Sequence, residues 1–101
     1  MAIQFKTNRF AQLDGRLYSG NISEIQYKIE TALDLTESLT IDLNQLNRID
    51  AAGAYMLYIT TKKAHENNKE IILFCTENEF VKFLLSFLGI TYCSSLPKAE
   101  G

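Results

Sequence analysis

Apolar side chains recur along the chain with two spacings, which predict strands and helices in turn. Residues 3–6 and 9–17 are extended segments around Thr7-Asn8 and predict a hairpin. Asn21 and Glu24 stand where a capping box would place them, so a first helix is expected to begin there. Its apolar stripe has helical spacing: Ile22, Ile25, Ile29 and Leu33.

Strands and helices alternate from residue 39 onward. Leu39 to Leu43 is a short strand, and residues 44–48 are predicted to lead out of it as a loop. Asp50 begins a helix that runs to about Asn67 or Asn68. The continuous apolar run Ile71 to Cys75 is typical of a parallel strand covered on both faces.

A third helix is predicted to start at Thr76, where Thr76 and Glu79 form a T-x-x-E capping box. Gly89 supplies its C-terminal stop, and Ile90 to Cys93 can form a last strand before the polar tail 94–101. The apolar side of this helix is expected to comprise Phe80, Val81, Leu84, Phe87 and Leu88.

The resulting order is β-β-α-β-α-β-α-β within one domain, residues 1–101. Alternation of strands and helices requires right-handed crossovers and a mainly parallel sheet, here with an N-terminal hairpin. The predicted fold class is therefore α/β, with helices packed on the sheet. A chain of 101 residues is long enough to bury one core.

Composition and charge narrow the range of partners. The net charge is −2, and Lys and Arg are not clustered, which argues against nucleic acid and anionic membranes as partners. No apolar run approaches transmembrane length, and the N-terminus has no signal-peptide pattern, so a cytoplasmic location without membrane insertion is expected. Cys75 and Cys93 lie in apolar stretches and are expected to be reduced, packed thiols.

The most informative stretch is Leu39 to Gly53, LTIDLNQLNRIDAAG. Asp50 stands at the N-cap of a helix that opens with Ala51, Ala52 and Gly53, where free backbone N–H groups and the positive end of the helix dipole meet. Such a terminus can bind an anion or a phosphate. Alternatively, Asp50 only caps the helix.

This stretch resembles the signature of the STAS domain, which occurs in anti-sigma-factor antagonists and in the tails of sulfate transporters. The resemblance extends in order over nearly the whole chain, and its joint spacing is more specific than any one motif. The matching landmarks are Gly15-Arg16-Leu17 before the first helix, the apolar-Asp-apolar strand Leu39 to Leu43, the strand Lys69 to Phe74, and the short helix Phe80 to Gly89.

The resemblance also implies a switch that this chain lacks at its usual place. In the antagonists a partner kinase, itself the anti-sigma factor, phosphorylates the hydroxyl residue just before the motif's glycine. Here that residue is Ala52, preceded by Ala51, and neither can accept a phosphoryl group. A phosphate there would add nearly two negative charges beside Asp50. Permanent binding competence, control elsewhere in the chain, or a partner that is not a kinase remain the alternatives.

The central helix carries apolar residues on two faces. Its core face is assigned to Gly53, Met56, Leu57, Thr60 and Ala64. The opposite face should be polar on a helix that covers a sheet, yet it contains Tyr55, Tyr58, Ile59 and Lys62. This pattern predicts a partner-binding surface, extended through the helix N-terminus to Asp50, Ala51, Ala52 and Gly53. Cover by a terminal region or a neighbouring helix is the competing interpretation.

Catalytic and cofactor-binding patterns are missing from the sequence. The only histidine, His65, sits at a polar helix end, and no nucleophile motif, phosphate loop or metal spacing occurs. Asp42 and Asp50 follow strands whose carboxyl ends are where α/β folds place ligands, so a carboxylate pair is one interpretation. The favoured interpretation is that one acid is structural and the other is a cap. We therefore expect a chain that is not an enzyme and needs neither metal nor cofactor.

The partner implied by the resemblance is an anti-sigma factor or a related regulatory kinase. The runner-up function is an accessory subunit of a membrane-lipid ABC transport complex, and a small-ligand site at the Asp50 helix end is a third. The tail 94–101 is too short for the further helix with which such domains usually finish. Its absence would expose apolar surface, and a homodimer is one way to cover it.

Overall fold

The computed structural model describes residues 3–90, which form six strands and three helices. Residues 91–93 of the predicted last strand, which include Cys93, lie outside the described residues, as does the tail 94–101. In chain order the elements are β1 Ile3–Thr7, β2 Phe10–Leu13, β3 Gly15–Leu17, α1 Ile22–Leu33, β4 Ser38–Asp42, β5 Leu46–Ile49, α2 Ala51–Glu66, β6 Glu70–Phe74 and α3 Glu79–Phe87.

The main sheet has four strands in the order β1-β2-β4-β6. Strands β1 and β2 form the predicted antiparallel hairpin, and β2, β4 and β6 run parallel. Ala11 lies beside Ile41, and Ile41 lies beside Leu73, so a buried apolar row crosses three strands. The connections from β2 to β4 and from β4 to β6 each contain a helix, because parallel neighbours need a long crossover connection. The predicted α/β class, hairpin, mainly parallel sheet and three helices are confirmed.

The predicted order omitted two short strands. Strands β3 and β5 pair in parallel as a separate two-stranded sheet. The second extended segment does not run unbroken to Leu17, because Gly15 has a φ of +72° and redirects the chain. Residues 44–48 are not all loop, because Leu46–Ile49 pairs with β3 as β5. Its two end residues are buried and the two between them are exposed.

The first helix buries the predicted stripe but is capped differently. Ile25, Ile29 and Leu33 are buried and Ile22 is half-buried. Asn21 is the N-cap residue, but its side chain turns back toward the preceding loop. Its Oδ1 accepts from Tyr18 N at 2.9 Å and its Nδ2 donates to Arg16 O at 2.8 Å. Asn21 therefore stabilises the loop, which is why the expected capping bond is not made.

The third helix begins two residues later than the T-x-x-E motif predicts. Asn78 is the N-cap: its Oδ1 accepts from Val81 N at 3.2 Å. The Nδ2 of Asn78 also donates to Leu43 O at 3.0 Å and Leu46 O at 2.8 Å. These carbonyls lie outside the helix, so contacts distant in sequence fix its start. Within residues 3–90, Thr76 Oγ1 is a buried hydroxyl oxygen without a hydrogen-bond partner.

The same helix buries only part of the apolar side that the sequence predicts. Val81 and Leu85 are fully buried, and Leu84 is half-buried. Phe80, Phe87 and Leu88 are exposed, although the sequence places them on the packing side. The predicted stop at Gly89 is confirmed by its φ of +75°. Gly89 N donates to Ser86 O and Ile90 N donates to Leu85 O, which is the hydrogen-bond pair of a Schellman ending.

Candidate partner-binding surface

The N-terminus of α2 packs directly against the chain that leaves β3. Asp50 N donates to Leu17 O at 3.1 Å, continuing the pairing of β3 with β5 into the loop. A Cβ built on Gly53 would lie 2.6 Å from Leu17 O and 2.9 Å from Leu17 Cγ. Gly53 therefore allows the helix and the loop backbone to approach more closely than any side chain would permit.

The carboxylate of Asp50 joins this loop to the helix. Its Oδ1 accepts from Gly53 N at 2.8 Å, which is the N-cap hydrogen bond. Its Oδ2 accepts from Ser19 N at 3.2 Å across the junction. Both oxygens thus bind backbone N–H groups, and the negative charge lies at the positive end of the helix dipole. The carboxylate itself takes the position that a bound anion would need, which favours the capping interpretation.

Small side chains surround this junction. Ala51 is exposed and Ala52 is half-buried, on the first turn of α2. Ser19 is exposed on the loop that Asp50 holds. The predicted site residues Asp50, Ala51, Ala52 and Gly53 therefore lie together at one fixed helix end.

The two faces of α2 have the accessibility that the sequence predicts, with one exception. Tyr55 is 64% exposed, Tyr58 is 40% exposed and Lys62 is exposed. The two tyrosine rings adjoin each other, with centroids 6.3 Å apart. Ile59 is half-buried and contributes less accessible surface. The opposite face is buried as expected, and it also includes Ala54: Gly53, Ala54, Met56, Leu57, Thr60 and Ala64.

The sequence did not single out a second aromatic group beside the junction. The guanidinium of Arg16 lies 4.4 Å from the centroid of the Tyr18 ring, a cation–π distance. These residues flank Leu17, whose carbonyl bonds Asp50. From the sequence alone, Arg16 and Leu17 belong to the end of a longer strand and to the Gly15-Arg16-Leu17 landmark, and Tyr18 has no assigned role.

The remaining candidate residues have local structural roles. Asp42 Oδ1 accepts from Asn44 N at 2.9 Å, so this carboxylate closes the turn after β4. Since Asp50 caps α2, each carboxylate holds its own stretch of backbone. His65 is exposed near the end of α2. Over residues 3–90, no three His, Cys, Asp or Glu side chains converge as a metal site would require.

In the part of the chain that the structure describes, no helix is a candidate for membrane insertion. None of α1, α2 and α3 combines the length and the apolar character needed to cross a bilayer.

Comparisons with known proteins agree on the fold. The anti-sigma factor antagonist SpoIIAA in its unphosphorylated form superposes with a TM-score of 0.68 at 16% identity, over 93% of this chain and 87% of that one. The phosphorylated form of SpoIIAA, a Bacillus cell fate determinant, gives a TM-score of 0.62 at 21% identity, over 87% and 82% of the two chains. Mglu gives 0.60 at 14% identity, over 70% of this chain but only 18% of that one.

At these identities the structural likeness establishes the fold alone. The search of curated proteins found no match. The model of the STAS domain matches residues 3–91, which is most of the sequence and includes the whole α2 junction. The chain therefore belongs to the STAS domain family.

Proposed function

We propose that this chain is a regulatory protein-binding module that acts in the cytoplasm in the manner of an anti-sigma-factor antagonist. Its partner surface combines the helix end Asp50–Gly53 with the outer face of α2, which carries Tyr55, Tyr58, Ile59 and Lys62. The observation that carries the proposal is the exposed tyrosine pair on a helix whose other face is core. Its likeness in fold to SpoIIAA supports it.

Two properties of this surface favour the binding of a partner. Tyrosine rings provide a large contact area with few rotatable bonds, so they lose little entropy on binding and are common at the centres of interfaces. The tyrosines stand next to a helix end that is already fixed by Asp50 and Gly53. A partner would therefore meet a surface that needs little reorganisation, which favours affinity.

The partner that fits the proposal is an anti-sigma factor or a related regulatory kinase. An accessory role in a membrane-lipid ABC transport complex is the alternative, since Ala52 lacks the hydroxyl that a partner kinase would phosphorylate and a partner that is not a kinase remains open. We propose no catalysis and no cofactor for either role. Asp42 and Asp50 bind backbone amides, and His65 lies at the far end of α2 from Asp50.

Affinity capture with the full chain distinguishes the two roles. The captured proteins are identified by mass spectrometry and compared with those captured by the double variant Tyr55→Ala/Tyr58→Ala. We expect a histidine-kinase-like ATPase that is lost with the double variant. Capture of a transport ATPase with its permease, lost in the same way, would support the alternative. A set of captured proteins that is the same for both baits would contradict the proposed surface.

We further propose that phosphorylation at the usual place cannot switch this module. Incubation with the captured kinase and ATP is expected to leave residues 51–53 unmodified, whereas Ala52→Ser creates an acceptor on the accessible first turn of α2. Phosphopeptide mass spectrometry measures both results. Phosphate on residues 51–53 of the wild type would contradict the proposal, whereas stoichiometric phosphate on Ser19, Thr60 or Thr61 would show that the switch has moved rather than vanished.

Those three hydroxyls differ in their availability. Thr60 is buried and its hydroxyl donates to Met56 O at 2.7 Å, and the half-buried Thr61 hydroxyl donates to Leu57 O at the same distance. Ser19 is exposed beside Asp50. Wild-type phosphorylation, if detected, would therefore be expected on Ser19, and Ser19→Ala is the matched control.

A further inference from the structure

Two arginines that are far apart in the sequence lie side by side on the small sheet of β3 and β5. Arg16 and Arg48 are register partners in this parallel pair, so their backbones are about 5 Å apart. The next partners in the register, Leu17 and Ile49, are both buried. Because side chains alternate along a strand, the two arginines stand on the opposite face, where both are exposed. We call Arg16 and Arg48 the arginine pair.

No acid within residues 3–90 forms an ion pair with the arginine pair. The ion pairs of that range join α1 to α2 and two residues of α3. The nearest acids in sequence are Asp14 and Asp50. Asp14 Oδ1 accepts from Gln12 Nε2 at 2.7 Å, and the Asp50 carboxylate accepts from two backbone N–H groups. Two like charges therefore stand together without an ion-pair partner in this range, and they repel each other in the unbound chain.

Arg16 is held in one orientation by an aromatic ring. Its guanidinium lies over the Tyr18 ring, 4.4 Å from the centroid. The backbone of Tyr18 is itself fixed, because Tyr18 N donates to Asn21 Oδ1 at 2.9 Å. Attraction to the face of a ring orients a guanidinium and uses none of its N–H donors. Arg16 therefore presents these donors in a fixed direction, which lowers the entropy lost when an acceptor binds.

The arginine pair adjoins the helix end of the proposed partner surface. Leu17 O, on the residue after Arg16, accepts from Asp50 N at 3.1 Å. Arg48 is three residues before Ala51, where α2 begins, so at most about 11 Å separate their Cα atoms. A partner that contacts the end of α2 therefore has the arginine pair within reach.

We propose that the arginine pair binds an acidic segment of the protein partner, with a carboxylate between the two guanidinium groups. The inference rests on the proposed function, because it names the chemistry of the partner at one end of the same surface. A carboxylate has two oxygens that match the N–H groups of arginine, and its charge offsets the repulsion between the two cations. Nucleic acid fits less well, because two arginines contact few phosphates and the chain has a net charge of −2.

Titration of the full chain with acetylated, amidated hexaglutamate tests the acidic ligand, with the arginine Nε–H signals followed by NMR at low ionic strength. The chain has three arginines, so the exposed Arg9 serves as an internal control. The signals of Arg16 and Arg48 should shift together and saturate, while that of Arg9 shifts little. Arg16→Gln and Arg48→Gln should each weaken binding about fivefold or more, since each removes one charged donor group. Arg9→Gln, the matched control, should change the Kd less than about twofold.

Signals of Arg16 and Arg48 that do not move, or that follow the same titration curve as Arg9, would overturn the inference. A phosphoserine peptide of equal charge and a short oligodeoxythymidine are the second and third probes. If either bound more than about tenfold tighter than hexaglutamate, the assignment to an acidic segment would be wrong.

Isothermal titration with the captured partner separates this inference from the proposed function. The double variant Arg16→Gln/Arg48→Gln should raise the Kd about tenfold and make it less dependent on salt than that of the wild type. If Tyr58→Ala weakens binding and the double arginine variant does not, the proposed function stands and this inference is wrong. If only the double arginine variant weakens binding, the arginine pair is supported and the α2 face is wrong. Thermal unfolding checks that each variant is folded.

Discussion

Leu57→Ala is expected to lower the free energy of unfolding by about 2–5 kcal/mol, the usual cost of vacating a buried leucine site. Leu57 is fully buried on the core face of α2, so truncating its side chain leaves a cavity in the core. For a chain of this size each kcal/mol corresponds to roughly 4–8 °C in melting temperature. The effect is therefore large enough to measure by thermal or urea unfolding.

Tyr58→Ala is the matched change on the next residue of the same helix. Tyr58 is 40% exposed whereas Leu57 is buried, so truncating Tyr58 should cost much less, about 0.5–1 kcal/mol, and Tyr55→Ala should cost less still. Ile59→Ala should fall between Leu57→Ala and Tyr58→Ala, because Ile59 is half-buried. Equal destabilisation by Tyr58→Ala and Leu57→Ala would mean that the tyrosine face belongs to the core, and the proposed surface would be wrong.

Gly53→Ala is expected to destabilise the fold by about 1 kcal/mol net, although alanine is the better helix former. Its Cβ would meet the backbone carbonyl of Leu17 at 2.6 Å, and this carbonyl also accepts from Asp50 N. Relief requires the loop to separate from the helix, and overpacking of this kind costs about 1–3 kcal/mol. The helix propensity of alanine offsets about 1 kcal/mol. Urea unfolding measures the net effect.

Gly20→Ala provides the control for that substitution. A Cβ at Gly20 would lie 2.4 Å from Tyr18 Cε2, but this atom is at the movable end of a side chain. The ring can rotate away, so Gly20→Ala should stay within about 0.5 kcal/mol of the wild type. If Gly53→Ala were as stable as Gly20→Ala, the close contact between Leu17 and α2 would not be a constraint on the fold.

The long helices were predictable because their signals are local and repeated. The apolar spacing of Ile25, Ile29 and Leu33 determines the buried face of α1, and Asp50 marks the start of α2 by its own capping bond. The same reasoning assigned the core face of α2 correctly. Such patterns can be identified without knowing which distant residues are in contact, because side chains three or four residues apart lie on the same face of a helix.

The predictions were wrong where contacts between residues distant in sequence determine the local structure. Strand β5 consists of two buried residues around two exposed ones, and it exists because β3 lies beside it. Asn78 begins α3 because its amide reaches Leu43 O and Leu46 O, which no local motif indicates. Six of the nine residues of α3 are apolar and they lie on more than one side of the helix, so the sequence could not tell which side faces the core, and Val81 and Leu85 determine it.

The candidate site was predictable in part. Its helix end and tyrosine face follow from the sequence, and the structure places Asp50–Gly53 together and leaves Tyr55 and Tyr58 accessible. The link from Asp50 to Ser19, and the position of Arg16 and Tyr18 beside it, could not be predicted. They depend on the pairing of β3 with β5, which was itself missed.

The affinity of the captured partner for α2 variants tests the central claim most directly. Tyr58→Ala should raise the Kd about thirty-fold, equivalent to about 2 kcal/mol for a central aromatic anchor. Tyr27→Ala on α1, also an exposed tyrosine, should leave the Kd unchanged. Isothermal titration with folded variants measures both. A Kd that Tyr55→Ala and Tyr58→Ala leave at the wild-type value, alone and together, would contradict a partner surface on α2.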